Sequence, residues 1–413
     1  MIIEILATGN ELLSGALVDT NSAYISEKIG EIGIMTARHT LVGDDEDVLG
    51  ATFKELSNRA GIVIVTGGLG PTRDDLSREV AARISGVDLE LDQASLARIE
   101  QFFSARGRKA PKNNQIQARF PAGAEILENP IGTAPGFALK INRSTFFFMP
   151  GVPAEMRKML KEQVIPRITK IIRDPYYYEC KTISTYGLGE SALEEKLDGF
   201  LDRFPDIDLG FRASFPEVQV KLYQKNSSQK ELIKEQQEAV SWIKEKLGVK
   251  IISLNGASLA AVVAELLIKK KETLAVAESC TGGLIANLLT NIAGSSEYFI
   301  LSAVTYADIA KQKMLGVRPE ILKEYGAVHE ETAKAMAAGA RELSGATYAI
   351  STTGIAGPAG GNPEKPVGTV CIGLAGPAGV TSKRYHFLFG KRLLNKKIFT
   401  AQALNLLRRE LLT

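Results

Sequence analysis

The sequence predicts an α/β protein built from more than one domain. Three observations carry that expectation. At 413 residues the chain exceeds the size at which a single hydrophobic core keeps growing, so two or three domains are expected. Short apolar runs of strand length alternate with amphipathic helical patterns, as a layered α/β fold requires. Several of those runs end in Gly- and Pro-rich loops, and open α/β sheets bind ligands at the carboxyl ends of their strands.

In chain order, Ile2–Thr8 reads as the first strand and Asn21–Ile32 as a helix, with Asn21 or Ser22 available as its cap. Gly61–Thr66 reads as a central buried strand, and Thr145–Met149 as another, closed by Pro150-Gly151. A helix follows from Pro153 towards Ile172. Proline in a first turn and Glu155 near the positive end suit that start. Arg173-Asp174-Pro175 reads as a linker. Cys180–Thr185 and Val218–Tyr223 then alternate like half-exposed strands, and Ser191–Phe200 and Gln229–Leu247 read as amphipathic helices. This is the pattern of a small α+β domain, closed by Asn255-Gly256. Beyond it the chain reads as helix Leu259–Lys271, strand Thr273–Ala277, helix Leu284–Leu289, strands Ala346–Ser351 and Gly368–Leu374, and a closing helix Arg392–Leu412. The expected domains are 1–172, 175–252 and 257–413.

Composition narrows the function. Hydrophobic residues make up 45% and charged residues 23%, as in ordinary globular proteins. A formal net charge of +3 gives no reason to expect nucleic acid or a membrane surface as partner. Three cysteines (Cys180, Cys280, Cys371) and three histidines (His39, His329, His386) are too scattered for a disulfide framework or a zinc site. No run reaches membrane-spanning length, and Met1-Ile-Ile-Glu4 opens on a strand-like run without a basic leader, so a cytoplasmic protein is expected.

The most chemically suggestive segment is Ala277-Glu278-Ser279-Cys280-Thr281-Gly282-Gly283. It joins a buried strand to a helix, placing hydroxyls and a thiol where the first helical amides offer unpaired donors. A nucleophile there would have oxyanion donors at hand, from Thr281 to Gly283 or near Gly354. Ser279 needs a base, and no histidine lies near it in sequence. A lysine can serve, as in Ser-Lys enzymes, if its surroundings lower its pKa, and Lys311 in Thr305-Tyr306-Ala-Asp-Ile-Ala-Lys311 is the candidate. Cys280 is the rival nucleophile. Thr353-Gly354-Ile-Ala-Gly357 could receive a phosphate, and Arg392 could fork onto one. In the first domain, Thr66-Gly67-Gly68-Leu69-Gly70-Pro-Thr-Arg-Asp74-Asp75 combines a glycine loop with an acidic pair that could hold a phosphate-bridging magnesium ion. Asn129-Pro-Ile-Gly132-Thr133-Ala-Pro-Gly136 and Pro150-Gly-Val-Pro-Ala-Glu155 are further loops of this kind.

These motifs, taken in order, resemble the CinA (competence/damage-inducible) family over the full length. The match includes Gly9-Asn10-Glu11-Leu-Leu13, Val304-Thr-Tyr306, Gly326-Ala-Val328 and Lys365-Pro-Val-Gly-Thr369. The resemblance implies a molybdopterin-binding-like α/β domain, a KH-type α+β domain and a C-terminal α/β amidohydrolase domain. It implies deamidation of nicotinamide mononucleotide (NMN) without a cofactor. Ser279 would be nucleophile, Lys311 base and Tyr306 its assistant, with Thr281, Gly282, Gly283, Thr353, Gly354, Gly357 and Arg392 around the substrate. It further implies an ADP-ribose pyrophosphatase in the first two domains, using magnesium, manganese or cobalt held by Asp75. Gly67, Gly68, Gly70, Asp74, Gly132, Thr133, Gly136, Arg212 and Glu217 would bind the nucleotide there. The alternative for these domains is a regulatory module that binds a nucleotide or pterin without turnover. A homodimer is also implied. Three positions depart from the family's usual pattern. Asn10 stands in place of an acid, Arg212-Ala-Ser-Phe-Pro-Glu217 lacks a glycine, and Lys391 precedes the retained Arg392.

Overall fold

A computed structural model describes residues 1–172 and 177–413. The linker expected at Arg173–Pro175 lies outside the described residues. Two compact units emerge: Met1–Cys180 with Tyr223–Ile233, and Lys181–Leu222 with Lys234–Thr413.

The first unit is built on strands β1 (Ile3–Thr8), β2 (Thr36–Val42), β3 (Ile62–Thr66), β4 (Leu89–Leu91), β5 (Arg119–Pro121), β6 (Glu125–Leu127), β7 (Gly136–Ile141) and β8 (Ser144–Met149). Six of them form one sheet in the order β2-β1-β3-β8-β7-β6, and β4 pairs with β5 separately. The β2, β1, β3 and β8 neighbours run parallel, whereas β7 and β6 are antiparallel additions. Both faces are covered, which is why β3 is an unbroken apolar run. Val63 and Val65 pack with Phe53, Phe146 and Phe148 on one face. Ile62 and Ile64 pack with Ile25, Phe147 and Met156 on the other.

The observed helix Thr20–Glu31 begins at an Asp19 cap, whose carboxylate accepts from the Ser22 amide. Asn21, expected as a cap, instead donates to Thr66 and to the Gly151 carbonyl. The helix from Pro153 contains a π turn at Leu160–Val164 before continuing to Ile172.

The middle sheet joins β9 (Tyr177–Tyr186), β10 (Ile207–Ser214), β11 (Glu217–Asn226) and β12 (Ile251–Ser253), in the order β10-β11-β9-β12. The helix expected over 191–200 is two pieces, Glu190–Lys196 and Phe200–Arg203, broken at Gly199 in the left-handed region.

The C-terminal sheet is β14-β13-β15-β16-β17, formed by β13 (Leu274–Glu278), β14 (Phe299–Val304), β15 (Tyr348–Gly354), β16 (Thr369–Gly376) and β17 (Gly379–His386). Its first three strands in that order are parallel, and the last two close it as an antiparallel pair. One face carries Ala275, Ala277, Ala349 and Ala375, small enough for the helix Glu330–Ser344 to pack closely. The other buries Val276, Ile350 and Ile372 against Phe399 and Leu404 of the closing helix Arg392–Leu411. No helix among the described residues is long and apolar enough to cross a membrane.

Candidate active site

The chain leaves β13 for β14 on one side and later returns as β15 on the other, so the carboxyl end of β13 is a topological switch point. Ser279 is the first residue beyond that end. Its amide donates to the Thr352 carbonyl at 2.9 Å, and the Thr305 amide donates to the Glu278 carbonyl at 2.8 Å. These two bonds bring the Ser279, Thr305–Tyr306 and Thr353 segments to one edge of the sheet. Gly282 and Gly283, with φ of 60° and 89°, turn the chain into the helix Leu284–Thr290 in a backbone conformation open to glycine.

That helix start is not free. The fully buried Glu278 carboxylate accepts from the amides of Gly283 (2.9 Å), Ile285 (3.2 Å) and Ala286 (3.0 Å). The expectation that Gly283 offers an oxyanion amide is thereby corrected, because a carboxylate already holds it. Sequence reading missed Glu278, since its reach to residues ahead follows none of the usual capping registers. Thr281 is likewise engaged, its hydroxyl 2.7 Å from that of Thr352.

The Ser279 hydroxyl makes no hydrogen bond to a described residue, and its side chain is close to fully buried. Cys280 beside it is a different environment. Burial pushes its thiol up to about 12, so it stays protonated at neutral pH. Lys311 is 1% exposed; its ammonium donates to the Tyr306 carbonyl at 3.0 Å and pairs with Asp308 at 3.4 Å. The lysine is therefore anchored to the segment that leaves Ser279's neighbouring strand, with no hydrogen bond to the serine itself.

Arg392 donates to the Gly357 carbonyl (2.8 Å) and to the Tyr306 hydroxyl (2.9 Å), linking three loops at the sheet's end. Lys396, one helical turn further on, carries its ammonium beside Gly282: a Cβ there would stand 3.4 Å from it. Sequence reading passed over this lysine because only the fold brings it to the loop. Thr353 is buried and donates to the Ala327 carbonyl at 2.6 Å. Gly354 lies where a Cβ would come within 2.5 Å of the Thr369 carbonyl oxygen.

The first unit has its own switch point at the carboxyl end of β1, between β2 and β3. Asn10 and Asp44 clasp each other there, amide to side chain in both directions, at 2.9 and 3.2 Å. Burial raises the Asp44 carboxyl above its ordinary range, and the charges of Glu11, Asp74 and Asp75 push it the same way. The loop after β3 is tied internally. Asp75 accepts from the Gly70 amide (2.7 Å), the Thr72 amide (2.9 Å) and the Thr72 hydroxyl. Arg78, fully buried, donates to the Leu69 (2.9 Å) and Gly70 (2.7 Å) carbonyls, and Ser77 donates to Gly67. Gly68 and Ser77 touch so closely that a Cβ at 68 would stand 2.3 Å from the serine oxygen. Asp74 is exposed. Gly132 and Thr133 belong to a loop closed by Asn129, which accepts from the Gly132 amide (3.0 Å) and donates to Glu155 (2.6 Å). Gly136 packs directly on the β8 backbone at Phe148.

A metal at Asp75 would need further donors. Among the described residues no three His, Cys, Asp or Glu side chains are arranged to hold one, and both Asp75 oxygens serve their own loop. The donor set does not fit a metal as it stands. Arg212 lies exposed on β10. Glu217 opens β11 and accepts from the Leu259 amide at 3.2 and 3.3 Å, capping the helix Leu259–Lys270 together with Ser258. Both belong to the second compact unit, whereas Asp75 belongs to the first.

Three family models match this chain. They are the probable molybdopterin binding domain over residues 4–170, the damage-inducible protein CinA KH domain over 180–253 and the CinA C-terminal domain over 256–411. A CinA-like protein of Desulfosudis oleivorans is 46% identical over 413 residues, covering 100% of both chains. Another, from Geobacter metallireducens, is 43% identical over 99% of each. The chain belongs to the CinA family. Among solved structures, the competence/damage inducible protein of Agrobacterium tumefaciens is 39% identical, covering 38% of this chain and 98% of that one, with a TM-score of 0.36. A CinA superfamily protein from Klebsiella pneumoniae is 34% identical over 37% of this chain and 96% of its own, with a TM-score of 0.36. This CinA-family chain thus joins a molybdopterin-binding-like domain, a KH-like domain and a CinA C-terminal domain in one α/β protein.

Proposed function

We propose that the C-terminal domain hydrolyses the carboxamide of nicotinamide mononucleotide to the carboxylate, with Ser279 as nucleophile. The supporting observation is the placement of the unbonded Ser279 hydroxyl at the β13 switch point, beside a thiol held protonated by burial. Ser279 Oγ attacks the carboxamide carbon as its proton passes to Lys311, which must first deprotonate and turn from Asp308. The C–N bond then breaks and nitrogen leaves as ammonia, taking a proton from the lysine. Water next attacks the acyl-serine ester, releasing the pyridine carboxylate and restoring the hydroxyl. Arg392 and Lys396 supply positive charge for the nucleotide phosphate. Purified protein incubated with NMN should yield nicotinic acid mononucleotide and ammonia in equal amounts. An unchanged rate in Ser279→Ala would overturn the assignment, and a loss confined to Cys280→Ala would move it to the thiol.

For the first unit we propose nucleotide binding at the loops after β1, β3 and β8. The gathering of Asp44, Glu11, Asp74 and Asp75 favours a ligand that arrives with cations. Metal-dependent hydrolysis of ADP-ribose requires Asp75 to leave its loop bonds. The clasped geometry therefore favours binding without turnover. AMP release from ADP-ribose with magnesium, manganese or cobalt would establish the hydrolase. Tight binding in calorimetry without release would establish the module.

A further inference from the structure

We propose that a cavity between the β10–β11 turn and the closing helix binds a small zwitterion with an apolar body, an amino acid in the broad sense of a molecule carrying one ammonium and one carboxylate. The cavity encloses about 330 Å³, a volume suited to a small ligand. Its walls are Phe215 from the turn, Leu259 from the start of the helix Leu259–Lys270, Leu284 and Leu288 from the helix Leu284–Thr290, and Leu404 from the closing helix. Leu259 and Leu404 are buried, whereas Phe215 and Leu288 are each 37% exposed. The edge of the Phe389 ring supports Phe215, with centroids 4.9 Å apart. Ser279, Thr353 and Arg392 do not line this space, so it is not the candidate active site.

Two charges line the apolar walls, and neither is neutralised. Glu217 accepts from the Leu259 amide alone, through both oxygens. A carboxylate has about four acceptor positions, so much of its capacity is unused. Burial raises the Glu217 carboxyl above its ordinary range, and no cation offsets that cost. Lys397 lies on the lining stripe of the closing helix, with Ala401 and Leu404 one and two turns further on. Its ammonium is exposed and makes no hydrogen bond or ion pair with a described residue, Glu217 included. These charges select the occupant. An apolar ligand would seal Glu217 from water without a partner, which is costly. An anion alone would meet that carboxylate, and a cation alone would leave Lys397 unused. A zwitterion satisfies both ends and buries its body against the leucines.

Calorimetry on the full chain tests this, with L-phenylalanine, L-leucine and the longer ε-aminocaproate as probes, each to about 10 mM. At least one should bind. Its affinity should fall by about ten-fold or more in Glu217→Gln and in Lys397→Met, the worth of a hydrogen bond to a charged group. In Ser279→Ala it should not change, so the outcome is independent of the deamidase assignment. Glutamine keeps an acceptor for the Leu259 amide and Lys397 is exposed, so both variants should fold, with unchanged circular dichroism. Failure of all three probes to bind the wild type overturns the proposal, as does an affinity that neither substitution alters. So does displacement of the bound probe by NMN or ADP-ribose, which would make the cavity part of a nucleotide site.

Discussion

The loop after β13 and the loops after β1 and β3 occupy the same place in two sheets of similar order, yet they handle charge in opposite ways. In each, a central strand sends the chain to one neighbour and receives a later strand on its other side. At the C-terminal switch point, Glu278 reaches forward to satisfy the helix amides, and cations from the closing helix stand beside the glycine loop. At the N-terminal one, Asp75 reaches back into its own loop, a buried arginine holds the loop carbonyls, and carboxylates gather around Asn10. The first arrangement leaves a hydroxyl unengaged within a positive surround. The second also leaves a hydroxyl unbonded, that of buried Thr8 at the end of β1, but it lies beside a loop around which carboxylates gather. A shared fold therefore supplies a location, and the charge of the side chains gathered there distinguishes the two.

The sharpest way to break this contrast is Ser279→Ala. It should lower NMN deamidation by about 10³-fold or more, the scale seen when a nucleophile is lost while binding groups remain. ADP-ribose binding, measured by calorimetry, should not change. Equal losses in both assays would mean that the two switch points do not act separately.

Much of the fold was legible in the sequence because its signals are local. β3 and β13 are unbroken apolar runs, the helix Gln229–Leu247 is amphipathic throughout, and Pro153 opens its helix as expected. Two of the strands that escaped have mixed or interrupted patterns, whereas β7 and β14 are mainly apolar and were passed over beside glycine-rich loops and neighbouring motifs. β17 is solvent-facing, with most of its residues exposed, and β10 carries Asp208, Gly210 and Arg212 within it. For the candidate site, Ser279 and its glycines could be read because strand, turn and helix follow one another directly. The Glu278 bonds, the Lys396 contact with Gly282 and the Arg392 link to Tyr306 depend on strand order and on the packing of the last helix, which no local pattern reports.

Arg78 sharpens the comparison from the N-terminal side. Arg78→Met would take the guanidinium from the buried Leu69 carbonyl, leaving it only a 3.5 Å bond from Gln117, and from the partly buried Gly70 carbonyl. At about 1–3 kcal/mol for each unsatisfied group, the first unit should lose roughly 3 kcal/mol in urea unfolding, while deamidation stays at the wild-type rate. Glu278→Gln is the matching change at the other switch point. It keeps one acceptor oxygen but sets an NH₂ group against the one or two amide donors that the other oxygen served. A cost of about 2 kcal/mol is expected, with a fall in kcat larger than any change in KM if the loop's geometry serves the reacting hydroxyl. A stability loss with unchanged kcat would make Glu278 a cap and nothing more.

The smallest expected effect concerns His329, which caps the helix packed on the alanine face of the C-terminal sheet. Its Nδ1 accepts from the Glu331 amide at 3.1 Å, and its ring stacks on Tyr325. An acceptor nitrogen must be unprotonated, and the folded state keeps it so: burial, Arg384 and Lys365 all lower its pKa, outweighing Glu330 and Glu331. The unfolded chain takes up the proton near the ordinary value of about 6.5. Below that pH the unfolded state binds more protons than the folded one, so stability falls as the solution is acidified, until the folded histidine also titrates. Above it the contribution is fully present. The loss should be about 1 kcal/mol, the usual worth of a helix cap, read as a drop in Tm of the second unit between neutral pH and pH about 5. His329→Asn keeps a capping acceptor and removes the titration, so its share of the pH dependence should vanish while stability at neutral pH is nearly retained. An equally steep acid loss in that variant would place the titrating group elsewhere in the unit.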